Sequence, residues 1–367
     1  MNTLNYPIAL SLFPRIGSVN ARRLVAYMGS VERIFESSEK ELKSIPGIGS
    51  ALVKILVRHR NEVLEKAARE TEFIRKHRIR TFFYLDKDYP RRLAQCDDAP
   101  VMLYQKGEAN LNHPKVISIV GTRSATDYGR QITEDLVCGL ASSGVDVLVV
   151  SGLAYGIDLA AHKAALKNGL PTLGVVGHGL DILYPSVHTG LAREMIAKGG
   201  AILSDFPSGT KIDPGNFPRR NRIIAGLADC TLVIESAQKG GAMVTADIAN
   251  SYNRDVFAFP GRIRDPYSAG CNELIRKNGA ALITSAADLI ACMDWETRSV
   301  PRQQVLLIDL DEDEKKLFDL FSKKELWTID AVSRELNFPV QKINSLLLRL
   351  EFKGILKSLP GNRFKRI

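Results

Sequence analysis

The densest run of phosphate-binding side chains in this chain of 367 residues is NFPRRNRIIAGLADC, where Arg219, Arg220 and Arg222 surround Asn221 and set three guanidiniums within four residues. A guanidinium offers a planar fork of donors that takes a phosphate through two parallel hydrogen bonds, and it never loses its charge near neutral pH. Three further turns carry compatible chemistry. GTRSATDYG, from Gly121 to Gly129, places Arg123 beside a glycine turn but lacks the GxGxxG spacing of a dinucleotide fingerprint. SGLAYGID supplies Ser151, Gly152, Ala154 and Gly156, small enough for a ligand to approach the backbone. SAQKGGAMVTA sets Lys239 before Gly240 and Gly241 at a helix start. Phe217 and Tyr155 add aromatic faces, and a base stacked on such a face is held by about 1–3 kcal/mol. Each turn alone is weak evidence, because most glycine-rich strand-to-helix turns bind nothing. Together they describe a row of phosphate-sized sites.

Such a row needs elements that deliver all four turns to one edge. From Val116 to Cys292 short apolar runs (VISIVG, VDVLVV, PTLGVV, AILS, CTLVIE and DVFAFPG) alternate with amphipathic stretches starting near Ala125, Tyr155 and Val187, running through Arg222 and starting again at Gly241. Strands of this composition alternating with helices predict an α/β domain with a parallel, doubly wound sheet. In that architecture ligands sit outside the carboxyl ends of the strands, where turns run into helix N-termini.

The flanks read as separate modules. The first 60 residues predict short helices and tight turns; IPGIGSALVKIL, from Ile45 to Leu56, matches a helix-hairpin-helix, and FPRIGSVNARRLVAYMGSVERIF repeats its Ile-Gly turn. Residues 62–80 read as a charged helix, and FFYLDKDYPRRLAQCDDAPVMLYQKG as a short linking element before a pair of strands. The polar stretch from Trp295 to Val305, with Pro301, reads as a linker. Helices over 312–323, 328–336 and 339–352, closed by a hairpin around Pro360 and Gly361, predict a winged helix. The expected domains are thus 1–80, 81–294 and 305–367, with a linker over 295–304. In the last domain PVQKINSLLLRLEFKG would be the recognition helix, with Lys342, Asn344 and Arg349, and the terminal hairpin adds Lys357, Arg363, Lys365 and Arg366.

Composition narrows the function. The net charge of +9 divides as +6 over residues 1–110, +1 over 111–304 and +2 over 305–367, so a polyanion bound by the central domain must be held by a local cluster rather than a broad field. The five cysteines contain no CxxC pair and the six histidines no HExxH, so neither a metal nor a disulfide framework is expected. No run of 18 apolar residues and no signal peptide is visible, which predicts a soluble, cytosolic protein without membrane contact. Asp158, after the second glycine-rich turn, is expected to hold its loop by accepting N–H bonds at a helix start, and Asp181 and Asp205 to act similarly.

The ordered series GTRSA, SGLAYGID, GHGLDILYP, NFPRRNRIIAGL, KGGAMVTA, FPGRI and GCNELI, spread over 155 residues, resembles the DNA processing protein A (DprA/Smf) family, and the resemblance extends over essentially the whole chain. It implies an extended Rossmann-like fold with a SAM-like helical front module and a winged-helix tail. It also implies a homodimer without cofactor or catalysis that binds single-stranded DNA, protects incoming strands and loads the RecA recombinase in natural transformation and homologous recombination. Matched position by position, the DNA site would use Gly121, Arg123, Phe217, Arg220, Asn221, Lys239, Gly240 and Gly241, flanked by Arg219 and Arg222. Two positions depart from the family pattern: His178 where a small or hydroxyl residue is usual, and Ser186 where some members have a basic one. An alternative, a nucleotide phosphoribohydrolase, is suggested by Glu235 at a strand end before Gly240-Gly241, but its PGGxGT run is missing and the following helix has no acid before Asp247.

Overall fold

A computed structural model describes residues 4–297, 310–323, 326–359 and 363–366. Most of the expected linker, 298–304, the start of the expected third domain at 305–309 and the turn around Pro360 and Gly361 lie outside the described residues. The chain separates into two compact units, Met1–Arg298 and Ser299–Ile367.

The front of the first unit is helical: α1 (Asn5–Ser11), α2 (Ser18–Met28), α3 (Val31–Glu36), α4 (Glu39–Lys43) and α5 (Ser50–His77). The two Ile-Gly turns have one backbone conformation. Arg15 and Gly47 both take left-handed φ angles, +61° and +77°, and two residues later Gly17 and Gly49 cap α2 and α5 with extended backbone and no side-chain partner. The sequence reads the second hairpin, to Leu56, and the charged helix over 62–80 as separate segments; in the structure one helix, α5, runs unbroken for 28 residues. The stretch contains neither glycine nor proline, and its buried positions Val53, Leu56, Val63, Ala67, Glu70 and Ile74 form one stripe at helical spacing. Two polar groups on this stripe tie other elements down. Arg60 donates to the Ser37 carbonyl at the end of α3, and Glu70 accepts from the backbone N–H and hydroxyl of Ser208.

The sheet has nine strands: β1 (Arg80–Phe83), β2 (Met102–Gly107), β3 (Val116–Val120), β4 (Leu148–Ser151), β5 (Thr172–Val175), β6 (Ala201–Ser204), β7 (Cys230–Val233), β8 (Asp255–Ala258) and β9 (Ala281–Leu282), in spatial order 1-2-6-5-4-3-7-8-9. All neighbours from β6 to β9 are parallel, as the alternating pattern required, whereas β1 and β2 add an antiparallel edge. This edge joins the modules. Successive side chains of a strand point to opposite faces, so Met102 and Tyr104 of β2 pack with the helical front while Leu103 packs with the sheet core.

The crossovers are α7 (Asp127–Ser142), α8 (Ile157–Lys167), α9 (Thr189–Ala197), α10 (Asn216–Leu227) and α11 (Gly241–Ser251), preceded by the short α6 (Arg91–Ala94) and followed by α12 (Ala269–Arg276) and α13 (Ala286–Cys292). The chain leaves β3 toward β4 on one side and β7 toward β8 on the other, so the topological switch point lies between β3 and β7. The second unit holds α14 (Glu312–Lys323), α15 (Ile329–Leu336), α16 (Val340–Phe352) and a three-stranded sheet of β10 (Leu326–Thr328), β12 (Arg363–Arg366) and β11 (Leu356–Leu359), the arrangement of a winged helix. Sequence periodicity did not find β10, whose three residues are too few to show a strand pattern.

One ion pair fixes α6 to the strand starts. Arg92 donates two hydrogen bonds to the Asp229 carboxylate, at 2.6 and 2.9 Å, and others to the carbonyls of His113 and Pro114, while Asp229 accepts from the Val116 N–H at the head of β3. Removing the carboxylate strands a largely buried guanidinium. Asp229→Ala is therefore expected to cost about 3 kcal/mol, read as a lower urea midpoint for the first unit; an unchanged midpoint would show that the pair is peripheral.

Candidate nucleic-acid interface

The carboxyl ends of β3, β4 and β7 and the first turns of α10 enclose a cleft of about 530 Å³ at the switch point, lined by Gly121, Thr122, Arg123, Ala154, Asp158, Tyr184, Phe217, Arg220, Asn221, Gly240 and Gly241 among others. Its narrowness comes from glycine. Gly156 takes φ +76°, and a Cβ there would lie 2.1 Å from the Thr122 carbonyl oxygen, so the turns after β3 and β4 meet only because this residue has no side chain.

One wall is an aromatic and cationic stack. The exposed Arg123 guanidinium lies 5.4 Å from the centre of the Phe217 ring, and the Tyr184 ring lies 6.0 Å from Phe217 at an interplanar angle of 32°. Tyr155, the second aromatic expected from sequence, is elsewhere; it packs on His188 in a separate groove with Leu159 and Val187. Tyr184 takes its place, delivered by the loop after β5. His178 braces that loop: it is buried, its Nε2 accepts from the Tyr184 N–H at 3.1 Å, and its Nδ1 bonds the Gly179 carbonyl.

The floor is a buried charge. Arg220 is 4 % exposed, and its Nη1 donates to the carbonyls of Gly152 at 2.7 Å and of Val175, while Nε reaches Asn221. Burial lowers its pKa to about 10, and Asp158 works against that fall. Asp158 accepts from the N–H groups of Gly152 and Ala154, the loop-holding role expected of it; burial raises its pKa and Arg220 opposes the rise. The far wall is the start of α11. Gly240 caps it without a side-chain partner, and a Cβ there would lie 2.4 Å from Ser236 Oγ, whereas a Cβ at Gly241 would meet open space. The N–H groups of this first turn form an uncharged anion site. Lys239 is exposed on the adjoining turn, outside the cleft lining.

The five arginine and lysine positions therefore separate. Gly121, Arg123, Phe217, Arg220, Asn221, Gly240 and Gly241 come together, whereas Arg219 and Arg222 face the other side of α10. Arg222 pairs with Asp205 at 2.9 Å and donates to the Asp98 carbonyl. Glu235 does not line the cleft: it is 1 % exposed and its carboxylate accepts from the backbone N–H and hydroxyl of Thr126, locking α7. In the winged helix, Lys342 and Arg349 of α16 pair with Asp313 and Asp311, so the expected recognition helix shows cations already matched by acids. Among the described residues no group of three or more histidine, cysteine or acidic side chains gathers as metal ligands. No described helix is long and apolar enough to cross a membrane.

A family model described as DNA recombination-mediator protein A matches residues 80–294, the entire sheet. The chain belongs to that family. A second model, the DprA winged helix domain, matches residues 301–362. Among relatives, Protein Smf of Synechocystis is 32% identical with 98% of each chain covered, and the DNA processing protein DprA of Streptococcus pneumoniae is 41% identical over 58% of this chain and 73% of its own. The X-ray structure of the Streptococcus pneumoniae DNA processing protein A superposes with a TM-score of 0.68 at 32% identity, covering 79% of this chain and 98% of that one. A DNA processing protein A from Helicobacter pylori, solved for its single-stranded DNA binding mode, gives a TM-score of 0.53 at 30% identity over 60% and 97%.

The two cleft arginines should behave oppositely in stability. Arg220→Ala leaves two strand-end carbonyls and a buried carboxylate without their partner and is expected to cost about 3 kcal/mol. Arg123→Ala, on the surface, should change stability by no more than about 0.5 kcal/mol. Equal losses in urea denaturation would contradict the assignment of Arg220 as the floor.

Proposed function

We propose that the cleft holds the backbone and bases of single-stranded DNA, and that this recombination mediator, as a homodimer, protects incoming strands and loads the RecA recombinase onto them during transformation and homologous recombination. The observation that carries this reading is the stack of Arg123, Phe217 and Tyr184 beside the uncapped start of α11. The stack offers π-faces on which unpaired bases can stack, and the helix start and Arg123 offer phosphate donors that need no sequence. Duplex DNA keeps its bases stacked on each other and has nothing to give such a wall. The family membership and the single-stranded DNA binding described for the Helicobacter pylori relative support the same reading. Lys239, at the rim, would extend the phosphate path.

The hydrolase alternative loses its general base in this geometry. Glu235 faces Thr126 and the underside of Gly129, where a Cβ would lie 2.1 Å from its Oε2, so no substrate bound in the cleft reaches it.

Binding of a labelled oligo-dT followed by anisotropy tests the reading. Affinity should fall with salt at a slope of about 0.7 per neutralised phosphate. Phe217→Ala should cost about 1–3 kcal/mol of binding, and Arg123→Ala should weaken all sequences alike and flatten the slope. Equal competition by a duplex of the same length would overturn it.

A further inference from the structure

The loop that follows β5 brings Tyr184 to the cleft, and a single buried ring ties the two ends of that loop together. His178 is 1% exposed. Its Nδ1 lies 2.9 Å from the Gly179 carbonyl oxygen and its Nε2 lies 3.1 Å from the Tyr184 nitrogen. A carbonyl only accepts and a backbone N–H only donates, so the ring carries its hydrogen on Nδ1 and leaves the Nε2 lone pair for Tyr184. Neither a small side chain nor a hydroxyl spans both positions. The residue at which this chain departs from the family pattern is therefore the one that closes the loop.

The rest of the loop is anchored without Tyr184. The His178 carbonyl accepts from Ser204 Oγ on the neighbouring β6 at 2.7 Å. A Cβ at Gly177 would lie 3.3 Å from Phe217 Cδ1, so the start of the loop already abuts the aromatic wall. Leu180 and Leu183 pack against the apolar cluster formed by Leu153, Val176 and Met195. Tyr184 has less to hold it. It is 40% exposed, its ring meets the Phe217 ring at 6.0 Å, and among the described residues no hydrogen bond reaches it other than the one to His178 Nε2. The second ring of the wall thus stands where it does because of one acceptor atom.

We propose that His178 is the positioning residue of the base-binding wall: through Nε2 it holds the Tyr184 backbone where the ring stands beside Phe217, and it contributes to binding a single strand only through that ring. The proposal rests on the single-stranded DNA reading of the cleft and adds a division of labour to it. Arg123 and the start of α11 grip phosphates whether or not His178 is present. The bases lose one of their two aromatic faces without it.

Two amide side chains separate the two ring nitrogens. Asparagine reaches about as far as Nδ1 and keeps a donor for the Gly179 carbonyl, whereas glutamine reaches about as far as Nε2 and offers an acceptor to the Tyr184 N–H. The N–H freed in His178→Asn belongs to a part-exposed residue and is met by water, so this variant is expected to fold, as its urea midpoint checks. Should it not fold, His178→Ser, the kind of side chain usual in the family, takes its place in each comparison. Anisotropy is read with a dT dodecamer and with an abasic dodecamer, which keeps the phosphates and has no bases. His178→Asn and Tyr184→Ala are each expected to bind dT about tenfold more weakly, within what stacking one base provides, and to bind the abasic strand as the wild type does. His178→Gln should recover dT binding to within about twofold of the wild type, and His178→Asn combined with Tyr184→Ala should be no weaker than Tyr184→Ala alone. Wild-type dT affinity in His178→Asn or in Tyr184→Ala, an equal loss on the abasic strand, or additive losses in the double variant overturns the positioning role and leaves the cleft reading intact. No dodecamer binding by the wild-type protein removes the cleft reading and the positioning role with it.

Discussion

A guanidinium shut away from water organises the site. Arg220 reaches from α10 across the strand ends to the carbonyls of Gly152 after β4 and Val175 at the end of β5, with the Asp158 carboxylate close behind. A buried charge is tolerated only when its donors are matched, and here matching them fixes where α10 can lie. With that helix pinned, Phe217 must project into the cleft, Arg123 lies over it and Tyr184 completes the wall. The residue that looks most like a phosphate ligand is thus the one that builds the site, and its exposed neighbours are left to meet the ligand. Asp158 belongs to the same device, because it holds the β4 loop through two N–H groups while balancing the charge of Arg220.

The second constraint is the two-faced strand β2, between β1 and β6. By turning Tyr104 toward the helical front and Leu103 toward the sheet it makes one body of two cores, and Glu70 reinforces the join by holding Ser208 on the loop that leads to α10. The helical module therefore touches the approach to α10 rather than hanging from it. This contact is what makes a cavity with polar walls at the junction, bordered by the first hairpin, the loop after β6 and α10.

Much of this was legible in the sequence because the parallel strands are buried on both faces and read as continuous apolar runs, and because their glycine-rich turns come in a fixed order. Gly121, Arg123, Phe217, Asn221, Gly240 and Gly241 were expected together and lie together. Arg219, Arg220 and Arg222 were expected as one cluster; successive residues of a helix point about 100° apart, so three arginines within four positions fall on different faces, one inward and two toward the other cavity. Tyr184 was hidden because its place is set by a loop from a distant strand and by His178, which sequence showed only as a departure from the family pattern. The edge strands β1 and β10 were missed for a simpler reason: with four and three residues they have no periodicity of their own and take their conformation from their partners.

Photocrosslinking a single strand that carries iododeoxyuridine, followed by mapping of the adducts by peptide mass spectrometry, would test the central claim most directly. Adducts on Phe217 or Tyr184 are expected if bases stack on the wall that Arg220 holds in place. Adducts confined to the winged helix, residues 310–366, would mean that the strand is bound elsewhere and that the cleft serves another ligand.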